Sequence, residues 1–305
     1  MSTPRHATGP GLVILATSAS VPHGRFQVQA SWPIPSNLNV LDIKSYPLTY
    51  VDQGSGVPVI LVHGSTADYR VWNAVLEPLA AGYRVIAPNL RHYYPEPWKG
   101  DGGSFSAEQH SDDLAELVRT LKLGKVHWLG WSRGGLVMVE VQKRHPDVVR
   151  TLIFEDGNID MPVEETEETR EAVSFVRSIG ETMRNNIRTG DLVHAAEVFI
   201  DTINGRGYWS RMPGSSREMV LQNIYTVLGD VVRPVTTCEQ VKRFDAPVLL
   251  LTGERSPKRY AFFYDEMRKC RSFPQTVVIP NASHAIHIDN PEGFLSVVLD
   301  FLKVH

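Results

Sequence analysis

The chain has 305 residues, of which 42% are hydrophobic and 21% are charged, a composition typical of a globular protein with a large buried core. Its net charge of −3 gives no indication of binding to nucleic acid or to a membrane surface, and we expect neither as a partner. The sequence has no long uncharged apolar run, so a transmembrane helix is not expected.

The first 36 residues predict no regular element, because several prolines interrupt any helix there. A basic pair at residues 5–6 precedes a short apolar stretch over residues 11–16, which loosely resembles a secretory signal. The stretch is short and its flanking charge is small. We therefore expect residues 1–36 to be a flexible N-terminal extension or a start-site artefact of a cytoplasmic protein, with export left open as an alternative.

Strands alternate with helices along the rest of the chain. The clearest strand covers residues 57–62, a continuous apolar run typical of a strand that is buried on both faces. Further strands are predicted, in chain order, over residues 37–43, 46–52, 83–88, 125–129, 150–154, 247–252 and 275–280. Helices are predicted over residues 70–80, 106–121, 136–142, 164–179, 192–203, 215–228 and 290–302, with one more around residues 260–267.

This alternation predicts an α/β protein with a mostly parallel central sheet and helices on both faces. We expect residues 37–157 and 245–305 to form that core. Residues 158–244 contain helices and no convincing strand, and we expect them to form a helical lid above the carboxyl ends of the strands. Functional loops of such sheets collect at that edge.

The segment Gly130–Gly134 has the sequence G-x-S-x-G and lies between a predicted strand and a predicted helix. In that context the motif indicates a nucleophile elbow, a sharp turn that exposes Ser132. Gly130 and Gly134 would leave room for the strand and the helix to cross closely. We therefore expect Ser132 to be a catalytic nucleophile.

A serine hydroxyl needs a base that takes its proton. His284 is the first candidate, because it follows the last predicted strand in the segment 281–285, and the carboxyl ends of parallel strands share one edge. His287 is the second candidate, and an ordinary surface role is the alternative for both histidines.

The third expected residue is a carboxylate that orients the imidazole and stabilises its charged form. One place for it is the loop after the strand 247–252, where Ser256 stands at the expected aspartate position and Glu254 is the only acid. The other is the end of the strand 150–154, which is followed by Glu155 and Asp156. Adjacent side chains diverge, so only one of these two acids should face the histidine.

Two backbone amides should bind the oxyanion of the tetrahedral intermediate, those of Ser65 and Arg133. Several aromatic side chains are candidates for a hydrophobic substrate pocket, although core packing is an equally good explanation for any of them. The pocket candidates that we favour are Tyr93, Trp98, Trp131 and Trp209.

Neither a metal site nor a disulfide is expected. His284, His287 and Asp289 could be grouped as metal ligands, but nothing else in the sequence supports a metal, and no cofactor is implied. Cys238 and Cys270, the two cysteines, are too few for a disulfide framework, and we expect them to be buried thiols.

Taken together, L-V-H-G at 61–64, G-W-S-R-G-G at 130–135 and N-A-S-H-A at 281–285 resemble the α/β-hydrolase superfamily. The resemblance covers residues 46–302 and implies the fold and the roles of a catalytic serine and histidine. Haloalkane dehalogenases and zearalenone-type lactonases carry their acid after the strand that follows the elbow helix. By that resemblance the acid of this chain is Asp156, with Glu155 and Glu254 as alternatives.

Haloalkane dehalogenases and epoxide hydrolases have an aspartate where this chain has Ser132. That difference argues against both activities, because an alkyl–enzyme ester requires a carboxylate nucleophile. We expect a cofactor-free serine hydrolase that cleaves a small hydrophobic ester or lactone through an acyl-enzyme. A zearalenone-type lactonase, a C–C bond hydrolase and a non-catalytic small-molecule receptor are the alternatives, and a homo-oligomer is left open.

Overall fold

The computed structural model describes residues 30–229 and 233–305, and only the backbone of residues 172–179. Most of the expected extension over residues 1–36 lies outside these residues. The central sheet contains the strands β1 (Asn39–Ile43), β2 (Tyr46–Gly54), β3 (Pro58–Val62), β4 (Arg84–Pro88), β5 (Val126–Trp131), β6 (Val149–Glu155), β7 (Val248–Gly253) and β8 (Val277–Ile279).

The eight strands are arranged in the order β1-β2-β4-β3-β5-β6-β7-β8. Strand β2 is antiparallel to both of its neighbours, and all other neighbouring strands are parallel. Every residue of β5 is buried, as is typical of a central parallel strand. The parallel arrangement brings the carboxyl ends of β3, β5, β6 and β7 to one edge, where the candidate functional residues follow.

Helices cover both faces of the sheet. In chain order they are α1 (Asn73–Ala80), α2 (Ala107–Thr120), α3 (Arg133–Arg144), α4 (Glu167–Thr189), α5 (Leu192–Asn204), α6 (Tyr208–Arg211), α7 (Gly214–Gln222), α8 (Thr226–Gly229), α9 (Cys238–Val241), α10 (Arg259–Cys270), α11 (Ile286–Asp289) and α12 (Pro291–Val304). Short 3-10 turns lie at Tyr69–Trp72 and Pro146–Val148. Helices α2, α3 and α10 contribute to the core on one face, and α1 and α12 contribute to the core on the other.

Helices α4 to α9 form an insertion between β6 and β7, with a small apolar cluster of its own around Trp209. A buried asparagine attaches this insertion to the core. The Asn223 side chain donates to Asp68 at 2.8 Å and accepts from the Tyr94 amide at 2.8 Å. Tyr208 of α6 adds a hydrogen bond of 3.0 Å to Asp289. The insertion is thus held over the carboxyl edge of the sheet by specific polar contacts.

Two predicted helices have different limits in the structure. The helix predicted over 164–179 begins after Thr166 and continues to Gly190, which adopts the left-handed conformation with a φ of 86°. It passes through Gly180, because a glycine inside a helix costs only about 1 kcal/mol. The helix predicted over 215–228 is broken into α7 and α8 at Asn223, whose side chain bonds to the core instead.

The expectation of buried thiols is wrong. Cys238 and Cys270 form a disulfide, with their Cα atoms 5.2 Å apart. Helix α9 packs against the end of α10, and this contact brings together two cysteines that are 32 residues apart in the chain. Across the described residues, none of the helices has both the length and the apolar character needed to span a bilayer.

Candidate active site

Ser132 lies in a strained turn between β5 and α3, with a φ of 54° and a ψ of −118°. A residue other than glycine rarely adopts a positive φ, so the surrounding structure must hold the turn in place. The Ser132 amide donates to the Glu155 carbonyl at 3.0 Å, and the Ser132 carbonyl accepts from the amides of Gly135 and Asn158 at 2.9 and 2.8 Å. The bonds to Glu155 and Asn158 attach the turn to the end of β6 and the loop after it, and the bond from Gly135 joins it to the first turn of α3.

The glycines of the motif are required by close backbone contacts. A Cβ atom on Gly134 would lie 2.1 Å from the carbonyl oxygen of Val62, and one on Gly130 would lie 2.7 Å from the carbonyl oxygen of Gly134. A Cβ atom on Gly64 would lie 3.0 Å from the Cβ atom of Ser132. Helix α3 therefore crosses β3 and β5 too closely for any side chain at these positions, in agreement with the elbow that the motif predicts.

The loop between β8 and α11 carries His284 to the same edge. The Trp131 indole, next to the elbow serine, donates to the His284 carbonyl at 2.8 Å. The Asp289 carboxylate accepts from the Ser283 amide at 2.7 Å. The loop is thus attached on both sides of His284, so its ring has a defined position.

Asp156 contacts the ring of His284 directly, with 3.1 Å between Oδ2 and Nδ1, and both side chains are buried. A carboxylate can only accept, so Nδ1 carries the proton and Nε2 has a lone pair for a base. The same Oδ2 accepts from Ser256 Oγ at 2.5 Å. Burial raises the pKa of Asp156 above its ordinary value, while its hydrogen bonds to His284 and Ser256 oppose that change. Ser256 thus contacts Asp156 from the loop where an aspartate was expected.

The two alternative acids have other partners. Glu155 bonds to the other candidate histidine, with 2.7 Å between its Oε1 and Nδ1 of His287, and both side chains are fully buried. The same oxygen accepts from the His287 amide at 2.9 Å. Glu254 is exposed and accepts from the Asn281 amide at 2.8 Å. Two consecutive acids therefore hold two histidines, and the pair that lies at the elbow serine is Asp156 with His284.

Tyr260 was not among the predicted site residues, yet its side chain packs against the ring of His284. Its hydroxyl lies 3.3 Å from Nε2 of His284, and the two rings stack with their centroids 4.8 Å apart. Burial raises the pKa of the Tyr260 hydroxyl above its ordinary value, and the nearby Ser132 side chain opposes that change. In the described part of the chain no direct hydrogen bond joins Ser132 to His284, and such bonds often form only when a substrate is bound. The sequence had placed Tyr260 only in the helix predicted around residues 260–267.

His63 fixes the backbone of the loop after β3. Its Nδ1 lies 2.9 Å from the Gly64 carbonyl oxygen, and its Nε2 accepts from the Leu90 amide at 3.1 Å. The ring therefore carries its single proton on Nδ1. Burial lowers the pKa of His63 to about 4, so the ring is neutral at neutral pH.

A cavity of about 640 Å³ opens between the insertion and the carboxyl edge of the sheet. Ser132 and His284 lie in its wall, together with Ser65 and Trp131 from the core. The insertion contributes an apolar wall formed by Phe199, Ile200, Ile203, Met212, Met219 and Val220. This size is typical of a site for one small organic molecule.

Three of the four favoured pocket aromatics do not line this cavity. Tyr93 packs edge-on against His63 in the core, and Trp98 stacks on Phe105. Trp209 is buried in the apolar cluster of the insertion. Only Trp131 of the four is in the cavity wall. Aromatic residue type alone had not distinguished packing from substrate contact.

The sheet order and the elbow together define a class of enzymes that share this fold. The chain belongs to the alpha/beta hydrolase family, whose model matches residues 59–297. It is 23% identical to the 2-(acetamidomethylene)succinate hydrolase of Mesorhizobium japonicum, over 86% of this chain and 94% of that protein. It is 25% identical to the sn-1-specific diacylglycerol lipase ABHD11 of Mus musculus, over 86% of this chain and 87% of that protein.

Among solved structures, the chain is similar to a thermophilic esterase from Thermogutta terrifontis. The TM-score is 0.67 and the identity is 26%, over 87% of this chain and 97% of that one. The protein is thus an α/β-hydrolase enzyme, and its relatives include hydrolases, lipases and esterases. The alternative of a non-catalytic receptor is therefore set aside.

Proposed function

We propose that the protein is a cofactor-free serine hydrolase that cleaves a carboxylic ester or lactone. Ser132 is the nucleophile, His284 the base and Asp156 the acid. The observation that carries this proposal is the buried Asp156–His284 pair, 3.1 Å apart, beside a strained elbow serine in the wall of one cavity. An alcohol, an imidazole and an orienting carboxylate are the parts that acyl transfer requires.

The proposed reaction has two halves. Ser132 Oγ attacks the carbonyl carbon while Nε2 of His284 takes its proton, and the same nitrogen then gives that proton to the leaving oxygen. Asp156 holds the imidazole in the required tautomer and stabilises its positive charge. Water, deprotonated by His284, then cleaves the acyl-enzyme and releases the acid.

The amides of Ser65 and Arg133 are the proposed donors to the oxyanion. Arg133 is the first residue of α3, and the first amides of a helix have no partner within it. The helix dipole adds partial positive charge at the same place. Gly64 and Ser65 share one planar trans peptide, so the N–H of Ser65 points opposite to the carbonyl that His63 holds. His63 therefore sets the direction of one oxyanion donor.

We expect His63→Phe to lower kcat about tenfold to a hundredfold with little change in KM. The phenyl ring fills the same space but releases the Gly64 carbonyl, so the Ser65 amide loses its fixed direction. The free energy of unfolding should also fall by about 1–3 kcal/mol, because the Leu90 amide loses its acceptor. Steady-state kinetics and thermal unfolding measure the two effects.

His127→Phe is the matched control. His127 is also a buried histidine, and its Nδ1 lies 2.8 Å from Thr151 Oγ1 near the opposite end of β5. This variant should lose stability and keep the kcat of the native protein. Equal kcat values for His63→Phe and the native protein would contradict the proposal that His63 sets the direction of the Ser65 amide.

The cavity supports a small, largely hydrophobic substrate. Its outer wall belongs to residues 158–244, which we propose act as the lid of the site. One relative is named as a diacylglycerol lipase and another as a 2-(acetamidomethylene)succinate hydrolase, so the named substrates differ among the relatives. A lactonase of the zearalenone type and a C–C bond hydrolase use the same proposed triad and are the second candidates.

Labelling by a fluorophosphonate probe and a substrate screen test the proposal. We expect the probe to modify Ser132 in the folded protein, as located by peptide mass spectrometry. The screen compares p-nitrophenyl esters of graded acyl length with small and macrocyclic lactones. Turnover of neither substrate class, together with no label on Ser132, would reject the proposed function.

A further inference from the structure

We propose that Met219 of the insertion sets the length of the acyl group that the site accepts. This inference rests on the proposed hydrolase function, because it names the side chain that limits one half of the substrate of that site. Its basis is a buried methionine of α7 that lines the cavity of Ser132 and His284 and also belongs to the core beneath it.

Met219 differs from neighbouring apolar side chains of the insertion in what it packs against. Val220 and Ile200 also line the cavity, but they belong to the insertion's own apolar cluster. Met219 is 6% exposed. Of the buried hydrophobic residues that the structure describes in the insertion, it alone belongs to the core on the α1 and α12 side of the sheet. The cavity wall therefore passes from the insertion to that core at Met219.

The same core extends to the catalytic groups. Four further residues belong both to this core and to the cavity wall, namely Ala67, Val71, Trp131 and Ala285. Trp131 directly precedes Ser132 in the chain. Ala285 directly follows His284, so both catalytic side chains adjoin this wall. An apolar chain attached to the carbonyl carbon that Ser132 attacks would therefore lie against it, and Met219 is the part that the insertion supplies.

Polar contacts fix the backbone of Met219 independently of its own side chain. The Met219 carbonyl accepts from the Asn223 side chain at 2.9 Å, and the same amide group donates to Asp68 at 2.8 Å. Gln222 adds a bond of 2.7 Å from Arg70. A change in the size of the Met219 side chain should therefore change the cavity without detaching the insertion.

The order of the strands indicates which half of the substrate meets Met219. Strand β5, which leads to Ser132, lies between β3 and β6. His284 is paired with Asp156 at the end of β6, and the leaving oxygen must lie beside His284 to receive its proton. Helix α7 is attached on the other side of β5, because Asp68 follows β3. The acyl group, and not the leaving group, therefore extends toward Met219.

The test measures kcat/KM for p-nitrophenyl butyrate and p-nitrophenyl octanoate. Met219→Ala leaves space that a longer acyl chain can fill, and each buried methylene group changes binding about fourfold. We expect the ratio of kcat/KM values, octanoate over butyrate, to rise about tenfold to fiftyfold over the native ratio. The bulkier Met219→Phe should lower the ratio about tenfold. A ratio within one variant cancels any loss of folded protein, because both esters report on the same active sites.

Met183→Ala is the matched control. Met183 is a buried methionine of α4 that belongs to the insertion's own cluster and is not among the residues that line the cavity. This variant should have a lower unfolding temperature and keep the native ratio. A second series varies the leaving half, with butyl acetate and octyl acetate followed by acid release. The ratio within that series should be the same in the native protein and in every variant.

An unchanged acyl ratio in Met219→Ala overturns the Met219 proposal, as does an equal change in Met183→Ala or a change confined to the acetate series. Hydrolysis by the native protein would then leave the proposed serine hydrolase intact. Labelling rates give a measurement that needs no turnover. Fluorophosphonates with butyl and octyl chains on phosphorus should label Ser132 with the same changes of ratio in the two Met219 variants. No label on Ser132 in the folded native protein, together with no ester turnover, would reject the hydrolase and the Met219 proposal with it.

Discussion

Ser132→Ala is expected to lower kcat for esters or lactones on the order of 10⁵-fold or more, because the variant lacks the hydroxyl that we propose forms the acyl-enzyme. The buried side chain is small, so the loss of its hydroxyl should change the unfolding temperature little. Initial rates with excess substrate and a thermal unfolding curve of the same sample give both quantities. The fluorophosphonate label should disappear from the variant.

Ser111→Ala provides the control. Ser111 is also fully buried, and its Oγ donates at 2.8 Å to the Glu108 carbonyl within α2, away from the cavity. This variant should keep native kinetics and native labelling. If Ser132→Ala retained substantial turnover while remaining folded, the nucleophile would have to be another group, and the acyl-enzyme mechanism would fail.

The fold was largely predictable because the central strands are buried on both faces. The runs 57–62 and 247–251 have no polar residue, a pattern typical of strands in a parallel sheet between two helical layers. Helix limits in the insertion were less predictable. The break at Asn223 depends on Asp68, which lies 155 residues away in the chain. A local sequence pattern cannot predict a contact between residues so far apart in the chain.

The same distinction applies to the site. The elbow is a local feature, since its glycines and serine are neighbours whose spacing reflects one tight crossing. The contact of Tyr260 with His284 depends on how α10 is oriented against the loop of His284, which spacing does not reveal. The disulfide likewise depends on the contact between α9 and α10. Sequence therefore predicted the groups that a motif fixes, and missed those that meet only through packing.

The acid assignment gives the second large expected effect. Asp156→Asn should lower kcat by about 10⁴-fold, because an amide can hold His284 in the wrong tautomer and cannot stabilise its positive charge. Glu254→Gln should change kcat less than about twofold, since Glu254 is exposed and its oxygen binds the backbone of Asn281. The measurement is kcat for the three proteins on one substrate, with unfolding temperatures recorded in parallel.

The variant Glu155→Gln tests whether Glu155 only holds the loop that carries His287 or also orients the proposed base, His284. Glu155 binds both the ring and the amide of His287, three residues after His284, so its loss should lower the free energy of unfolding by about 1–3 kcal/mol. The kcat of the folded variant should fall far less than that of Asp156→Asn, because the Asp156–His284 bond remains.

Adjacent positions 155 and 156 could not be ranked from their spacing. They differ in the structure because Asp156 leaves the strand with a φ of 40° and turns toward His284. A 10⁴-fold loss confined to Glu155→Gln would make His287 the base, and the same loss confined to Glu254→Gln would move the acid to the loop after β7.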